Sequence, residues 1–218
     1  MGRNKLKRFR ENAASDRVVE VGKENYQTIK GNWQSDIFKN KLPITAEMGC
    51  GNGEYTVGLA EQFKDKNCIG VDVKGSRIWR GQTTALEKEV VTNTAFLRAS
   101  ILDIEKFFEP NELQEIWITF PDPRPRLGDA KRRLTSPRFL KLYKKVIHPN
   151  GFLQLKTDDF PLYKFTLESI KEVGGTIINH TDDLYSSDLL KDHFGIQTTY
   201  EKRFLAEGKK INYIKFKL

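Results

Sequence analysis

Apolar positions along the chain fall into short runs separated by stretches with helical spacing. The run "LPITAEMG" (42–49) predicts a buried strand, "EYTVGLAEQF" (54–63) sets Leu59 and Phe63 at i, i+4 on one helix face, and "NCIGVDV" (67–73) predicts a second strand. Together they form a βαβ unit. The alternation continues with a helix over 77–89, a strand "TAFLRA" (94–99), a short "IEKFF" helix and the strand "EIWITF" (115–120). A helix over 136–147 follows, with Ser136 as N-cap and Pro137 at its first position. The strand "GFLQLKT" (151–157), a helix from Phe160 to about Val173, and the strands "GTIINHT" (175–181) and "INYIKFKL" (211–218) close the chain. Such repeated alternation predicts an α/β fold: a mostly parallel, seven-stranded sheet with helices on both faces. Ligands of such sheets bind outside the carboxyl ends of the strands, where strand order reverses.

Length and composition narrow the class. The 218 residues, 38% of them apolar, suffice for one sizeable core. No run is long enough for a membrane span, and "MGRNKLKRFRENAA" has bases but no hydrophobic segment of a signal peptide, so a cytoplasmic protein without membrane attachment is expected. Cys50 and Cys68 stand apart without CxxC or His-rich spacing, which gives no signal of a disulfide framework or a metal site. His148, His180 and His193 likewise lack metal or nucleophile spacing, and Trp33, Trp79 and Trp117 read as packing residues.

Charge adds a partner class. A net charge of +8 favours a polyanion, and its distribution is uneven. The first ten residues hold Arg3, Lys5, Lys7, Arg8 and Arg10 with no acid, and residues 124–145 hold nine bases against the single acid Asp129. The expected organisation is a basic N-terminal arm (1–35) followed by one domain (36–218).

The first strand-to-helix turn, "AEMGCGNGEY", lies where the sheet rule places a nucleotide-like ligand. Gly49, Gly51 and Gly53 allow a tight turn and close backbone approach, and the next helix offers free N–H groups. A dinucleotide fingerprint counted from Gly49 would need glycine where Glu54 stands, which weakens the reading as a dinucleotide-dependent oxidoreductase. Glu47, two residues before the loop, and Asp72, at the end of the next strand, do not suit a pyrophosphate. A carboxylate at Asp72 can accept both hydroxyls of a ribose, and an adenosyl ligand with a positive centre fits the pair. This arrangement resembles motifs I and II of the class I S-adenosylmethionine-dependent methyltransferases.

The stretch "ITFPDPRPRLGDAKRRL" (118–134) wedges Asp122 between Pro121 and Pro123 and follows it with Arg124, Arg126, Lys131, Arg132 and Arg133. With "KTD" (156–158) and "TTYEKRF" (198–204) in this order behind the glycine loop, the chain from about residue 40 onward resembles the bacterial tRNA (guanine-N7)-methyltransferases. That resemblance implies S-adenosylmethionine as cofactor, with Glu47, Gly49, Gly51, Asp72 and Asp122 at donor-contacting positions and Asp122 also as the catalytic acid. It places Arg126, Asp158, Thr198, Thr199, Tyr200 and Glu201 on nucleoside-binding positions. Lys131, Arg132 and Arg133 are expected on the tRNA backbone. Three positions depart from the family pattern: Arg124 replaces a usual tryptophan, Arg126 often a lysine, and Ser100 an aspartate or asparagine against the adenine. Ser100 keeps a hydroxyl and stays a cofactor candidate.

The implied function is methylation of guanine N7 in the tRNA variable loop, with tRNA as partner and a monomer or homodimer as the assembly. A methyltransferase for another RNA base and a non-catalytic RNA-binding protein are the alternatives.

Overall fold

The computed structural model describes residues 2–218, with side chains from residue 5 onward. In chain order its principal elements are α1 (Gly2–Ala14), β1 (Val18–Glu20), α2 (Asn25–Thr28), β2 (Ile44–Met48), α3 (Glu54–Gln62), β3 (Asn67–Asp72), α4 (Gly75–Glu87), β4 (Thr94–Arg98), β5 (Leu113–Thr119), α5 (Pro137–Val146), β6 (Ile147–Thr157), α6 (Phe160–Glu172), β7 (Thr176–Thr181), α7 (Thr199–Ala206) and β8 (Asn212–Lys217). One sheet runs β1-β4-β3-β2-β5-β6-β8-β7. Its first six strands pair in parallel, and β8 enters antiparallel between β6 and β7.

The sheet therefore has eight strands rather than the seven expected. The additional strand is β1, whose three residues pair Val18–Glu20 with Phe96–Arg98 of β4. A three-residue run, Val18–Glu20, is too short to display a period. The segment read as a basic arm thus supplies an edge strand and the helix α1, which lies along α4. Asn12 donates from Nδ2 to the Gly75 carbonyl at 2.8 Å, and Trp79 donates from its indole N–H to Glu11.

Strands β2, β3 and β4 are buried almost throughout because helices cover both faces, which explains their continuous apolar runs. Period-two alternation sends Ile69 and Val71 to the face packed by α5 and α6, and Cys68 to the face packed by α3 and α4. Trp33 and Trp117 are fully buried, as their reading as packing residues requires, and both cysteines are buried free thiols. At the far edge β7 is half solvated. No helix among the described residues is long and apolar enough to cross a membrane, and none of their His, Cys, Asp and Glu side chains gather in groups of three or more that could hold a metal ion.

Candidate active site

Because β2 to β6 are parallel, their carboxyl ends meet at one rim of the sheet, and the loops after them carry the residues singled out by sequence. The glycine loop follows β2. Gly49 and Cys50 both donate their backbone N–H to the Val71 carbonyl, at 2.8 and 3.0 Å, which folds the loop against the end of β3. Gly51 has φ +56°, and nothing lies within 4 Å of where a Cβ would stand, so its backbone faces open space. Asp72, 6% exposed, accepts from the Gly51 N–H at 3.1 Å and the Lys74 N–H at 2.8 Å, and Arg77 lies 3.5 Å away. These contacts fix the carboxylate while each oxygen keeps a further lone pair for a ligand.

Glu47 is 2% exposed. Its Oε2 accepts from the Thr56 N–H and hydroxyl, and its Oε1 accepts from the Thr119 hydroxyl, so the acid ties β2 to both α3 and β5. Burial raises its pKa to about 7, against the opposing pull of these hydrogen bonds. Thr56 and Thr119 carried no signal in the sequence because their role exists only through Glu47. Ser100 lies just past β4, and its hydroxyl accepts from the Leu102 N–H as the cap of the short turn Ile101–Lys106.

The proline-flanked loop leaves β5 through two residues in the left-handed region, Phe120 at φ +46° and Arg124 at φ +49°. Non-glycine residues pay about 1–3 kcal/mol for such backbone, which persists where surrounding contacts over-determine it. Asp122 stands between them with its side chain 61% exposed, accepting from the Arg124 N–H at 3.1 Å and facing Arg124 Nε at 3.0 Å. Arg126, Lys131 and Arg132 are exposed, and Arg132 pairs with Asp129 at 3.1 Å. Arg133 departs from the expectation of a phosphate ligand. It is 8% exposed, and its guanidinium donates to the Pro123 and Arg124 carbonyls.

At the same rim, Asp158 follows β6 and accepts from Lys209 at 2.9 Å. Thr198 caps α7 by accepting from the Glu201 N–H. Thr199 donates its N–H and hydroxyl to the Glu54 carboxylate at 2.7 and 2.5 Å, which fastens α7 to the start of α3. Glu54 occupies the position where a dinucleotide fingerprint needs glycine and serves as this link. Tyr200 is 53% exposed and presents a ring to solvent.

Glu201 differs from its expected nucleoside contact. It is fully buried and bonded to Lys156 at 2.7 Å, His193 at 3.0 Å and Tyr185 at 3.2 Å. Burial lowers the Lys156 pKa to about 8 despite Glu201, and the partners His193 and Lys156 outweigh burial to hold the Glu201 pKa low. The cluster therefore anchors α7 to β6 and leaves no face of Glu201 for a substrate. A separate cavity of about 680 Å³, lined by Glu11, Asp16, Trp79, Gln82 and Thr94 among others, opens toward the amino ends of β1 and β4, away from the rim.

Comparison with known proteins places this arrangement. A family model described as "Putative methyltransferase" matches residues 41–214. The tRNA (guanine-N(7)-)-methyltransferase of Cytophaga hutchinsonii is 46% identical over 99% of this chain and 98% of the relative, and the enzyme of the same name from Christiangramia forsetii is 45% identical over 99% and 98%. Among solved structures, the 16S ribosomal RNA methyltransferase KamB superposes with a TM-score of 0.62 at 14% identity, covering 84% of this chain and 90% of that one, a likeness of fold. The open glycine turn and the fixed carboxylate of Asp72 stand together at the strand ends, where such sheets bind their ligands. With 45–46% identity to these relatives over 99% of its length, the chain belongs to the tRNA (guanine-N7)-methyltransferase family.

Proposed function

We propose that this chain transfers a methyl group from S-adenosylmethionine to N7 of a guanosine in the variable loop of tRNA, with Asp122 acting on the base. The observation that carries this reading is 46% identity, over 99% of the chain, to an enzyme of that name. The local geometry supports it. Bound S-adenosylmethionine supplies an electrophilic methyl group on a sulfonium. Asp72 would accept from the ribose hydroxyls beside the open turn at Gly51, with Glu47 bracing the loop from behind and Ser100 at the next strand end for the adenine.

Guanine N7 carries a lone pair in the neutral base, so the transfer needs no general base. Transfer would form the N–CH3 bond as the donor's S–CH3 bond breaks, leaving the electron pair on sulfur and the guanine cationic. Alignment alone contributes on the order of 7–11 kcal/mol in such reactions. Asp122 accepts from the N1–H and N2–H groups of the base and attracts the charge that develops on it, an interaction stronger in the transition state than in the ground state. Arg126 and Asp158 flank the base, while Thr198, Thr199 and the exposed ring of Tyr200 form the facing wall. Lys131 and Arg132 contact phosphates on one side, and the exposed bases Lys5, Lys7 and Arg10 of α1 extend the positive surface beyond α4.

The test is transfer of labelled methyl from S-adenosylmethionine to unmodified tRNA, followed by mass spectrometry of the nucleosides. The expected product is 7-methylguanosine. A methyl group on another nucleoside, or none on tRNA, overturns the reading.

A further inference from the structure

The three consecutive bases Lys131, Arg132 and Arg133 look equivalent as charge, yet their surroundings divide them. Lys131 and Arg132 extend into solvent, whereas Arg133 turns inward beneath the loop that carries Asp122. Its Nε donates to the Pro123 carbonyl at 3.0 Å and the Arg124 carbonyl at 3.3 Å, and its Nη2 donates to the Arg124 carbonyl at 3.0 Å. The guanidinium also lies over the Phe165 ring of α6, 4.4 Å from its centroid. The flat, five-donor fork of arginine suits this double duty, and a lysine ammonium can reproduce only the single-point part of it.

The two carbonyls belong to the residues immediately after Asp122, one of them in left-handed backbone. A loop in that conformation needs fixed partners to hold it. The residues next to Arg133 continue the support. Leu134 packs against the glycine loop so closely that a Cβ on Gly49 would stand 3.0 Å from its Cδ1, and Thr135 bonds to Thr166 of α6 at 2.7 Å. The segment 133–135 thus connects the rigid helix α6 to the loop on the acceptor side and to the loop on the donor side.

We propose that Arg133 is a positioning residue, which clamps the Pro123 and Arg124 carbonyls so that Asp122 is held toward the target base, and that it does not bind the RNA backbone. The inference rests on the function proposed above. It separates the last residue of the basic run from its two neighbours, which remain available to phosphate.

The test compares the parent with Arg133→Met and Arg133→Lys, measuring single-turnover methylation at saturating tRNA and donor, and tRNA affinity across a salt series. Loss of the clamp is expected to slow methyl transfer by about a hundredfold in Arg133→Met, the scale of a roughly 1 Å misplacement, with a smaller loss in Arg133→Lys. The tRNA affinity and the slope of its logarithm against log salt should match the parent. A slope reduced by about one unit with an unchanged rate at saturation would make Arg133 a phosphate ligand and overturn the proposal. Equal loss in the lysine and methionine variants, or a parent-like rate in both, would also overturn it. If Arg133→Met does not fold, Phe165→Leu removes the surface on which the guanidinium rests and should lower the rate in the same direction without altering the salt slope; an unchanged rate there counts against the clamp. A parent protein that methylates no tRNA would refute the functional reading instead, so the two failures are distinguishable.

Discussion

The donor and acceptor sides of the site are built from opposite materials. At the ends of β2 and β3, Glu47 and Asp72 are 2% and 6% exposed and bonded to backbone and threonine groups of the protein. Beyond β5, Asp122 stands with its side chain 61% exposed, in a loop held in left-handed backbone and followed by solvated bases. A small donor requires a preformed pocket, in which the cost of fixing the groups is met during folding. A large polyanion brings its own surface to the protein and covers the acceptor side when it binds, so the charges there stay in water until then. On the function proposed above, one side of the site is completed by the fold and the other by the substrate.

Separate perturbation of the two sides should break the comparison if it is wrong. The largest effect is expected from Asp122→Asn, which keeps size and one acceptor oxygen but removes the charge. Single-turnover methylation should fall by about a hundredfold to a thousandfold, the range for loss of a preorganised electrostatic group, while tRNA affinity changes far less. A near-parental rate would reduce Asp122 to a residue that shapes the turn.

Glu47→Gln addresses the donor side through pH. With its folded pKa raised to about 7 from an ordinary 4.5, Glu47 holds a proton in the folded state that the unfolded chain releases between those values. Its contribution to stability therefore declines as pH rises through this window, and above pH 7 the penalty is complete. The neutral glutamine can still accept from Thr56 and donate to Thr119. Relative to the parent, the variant should gain on the order of 3 kcal/mol of stability between about pH 4.5 and 7, read by denaturant unfolding at several pH values. A pH-independent difference would contradict the buried, raised acid.

Smaller effects sharpen the division. Asp72→Ala should weaken S-adenosylmethionine binding by roughly tenfold to a hundredfold, the scale of one or two hydrogen bonds to a charged group, and leave tRNA affinity intact by calorimetry. The paired substitution of Lys131 and Arg132 by alanine should do the reverse, with the salt slope of tRNA binding reduced by about two units and donor affinity unchanged. Crossed effects would mean that the two sides are one coupled unit.

Much of this molecule is legible in its sequence, for identifiable reasons. Strands β2 to β5 sit in apolar runs whose burial follows from the helices on either side, Asp72 closes one of those runs, and Asp122 is marked by the prolines on both sides of it. β1 was hidden because three residues are too few for a period. The role of Glu201 was hidden because its partner Lys156 lies 45 residues away and only the pairing of β6 with the chain behind α7 brings them together. Arg132 and Arg133 are the same residue type side by side, and only the packing under the Asp122 loop tells the clamp from the exposed base.

The most direct test of the central claim, that guanine N7 is the methyl acceptor, replaces one atom of the substrate. A tRNA transcript is prepared with guanosine at the target position of the variable loop, and a second one with 7-deazaguanosine there, in which a C–H group takes the place of the N7 lone pair while the Watson–Crick edge that Asp122 is proposed to read is kept. The expected result is single-turnover methylation of the first transcript and none of the second, although both bind with similar affinity. Equal methylation of the two would contradict N7 as the acceptor.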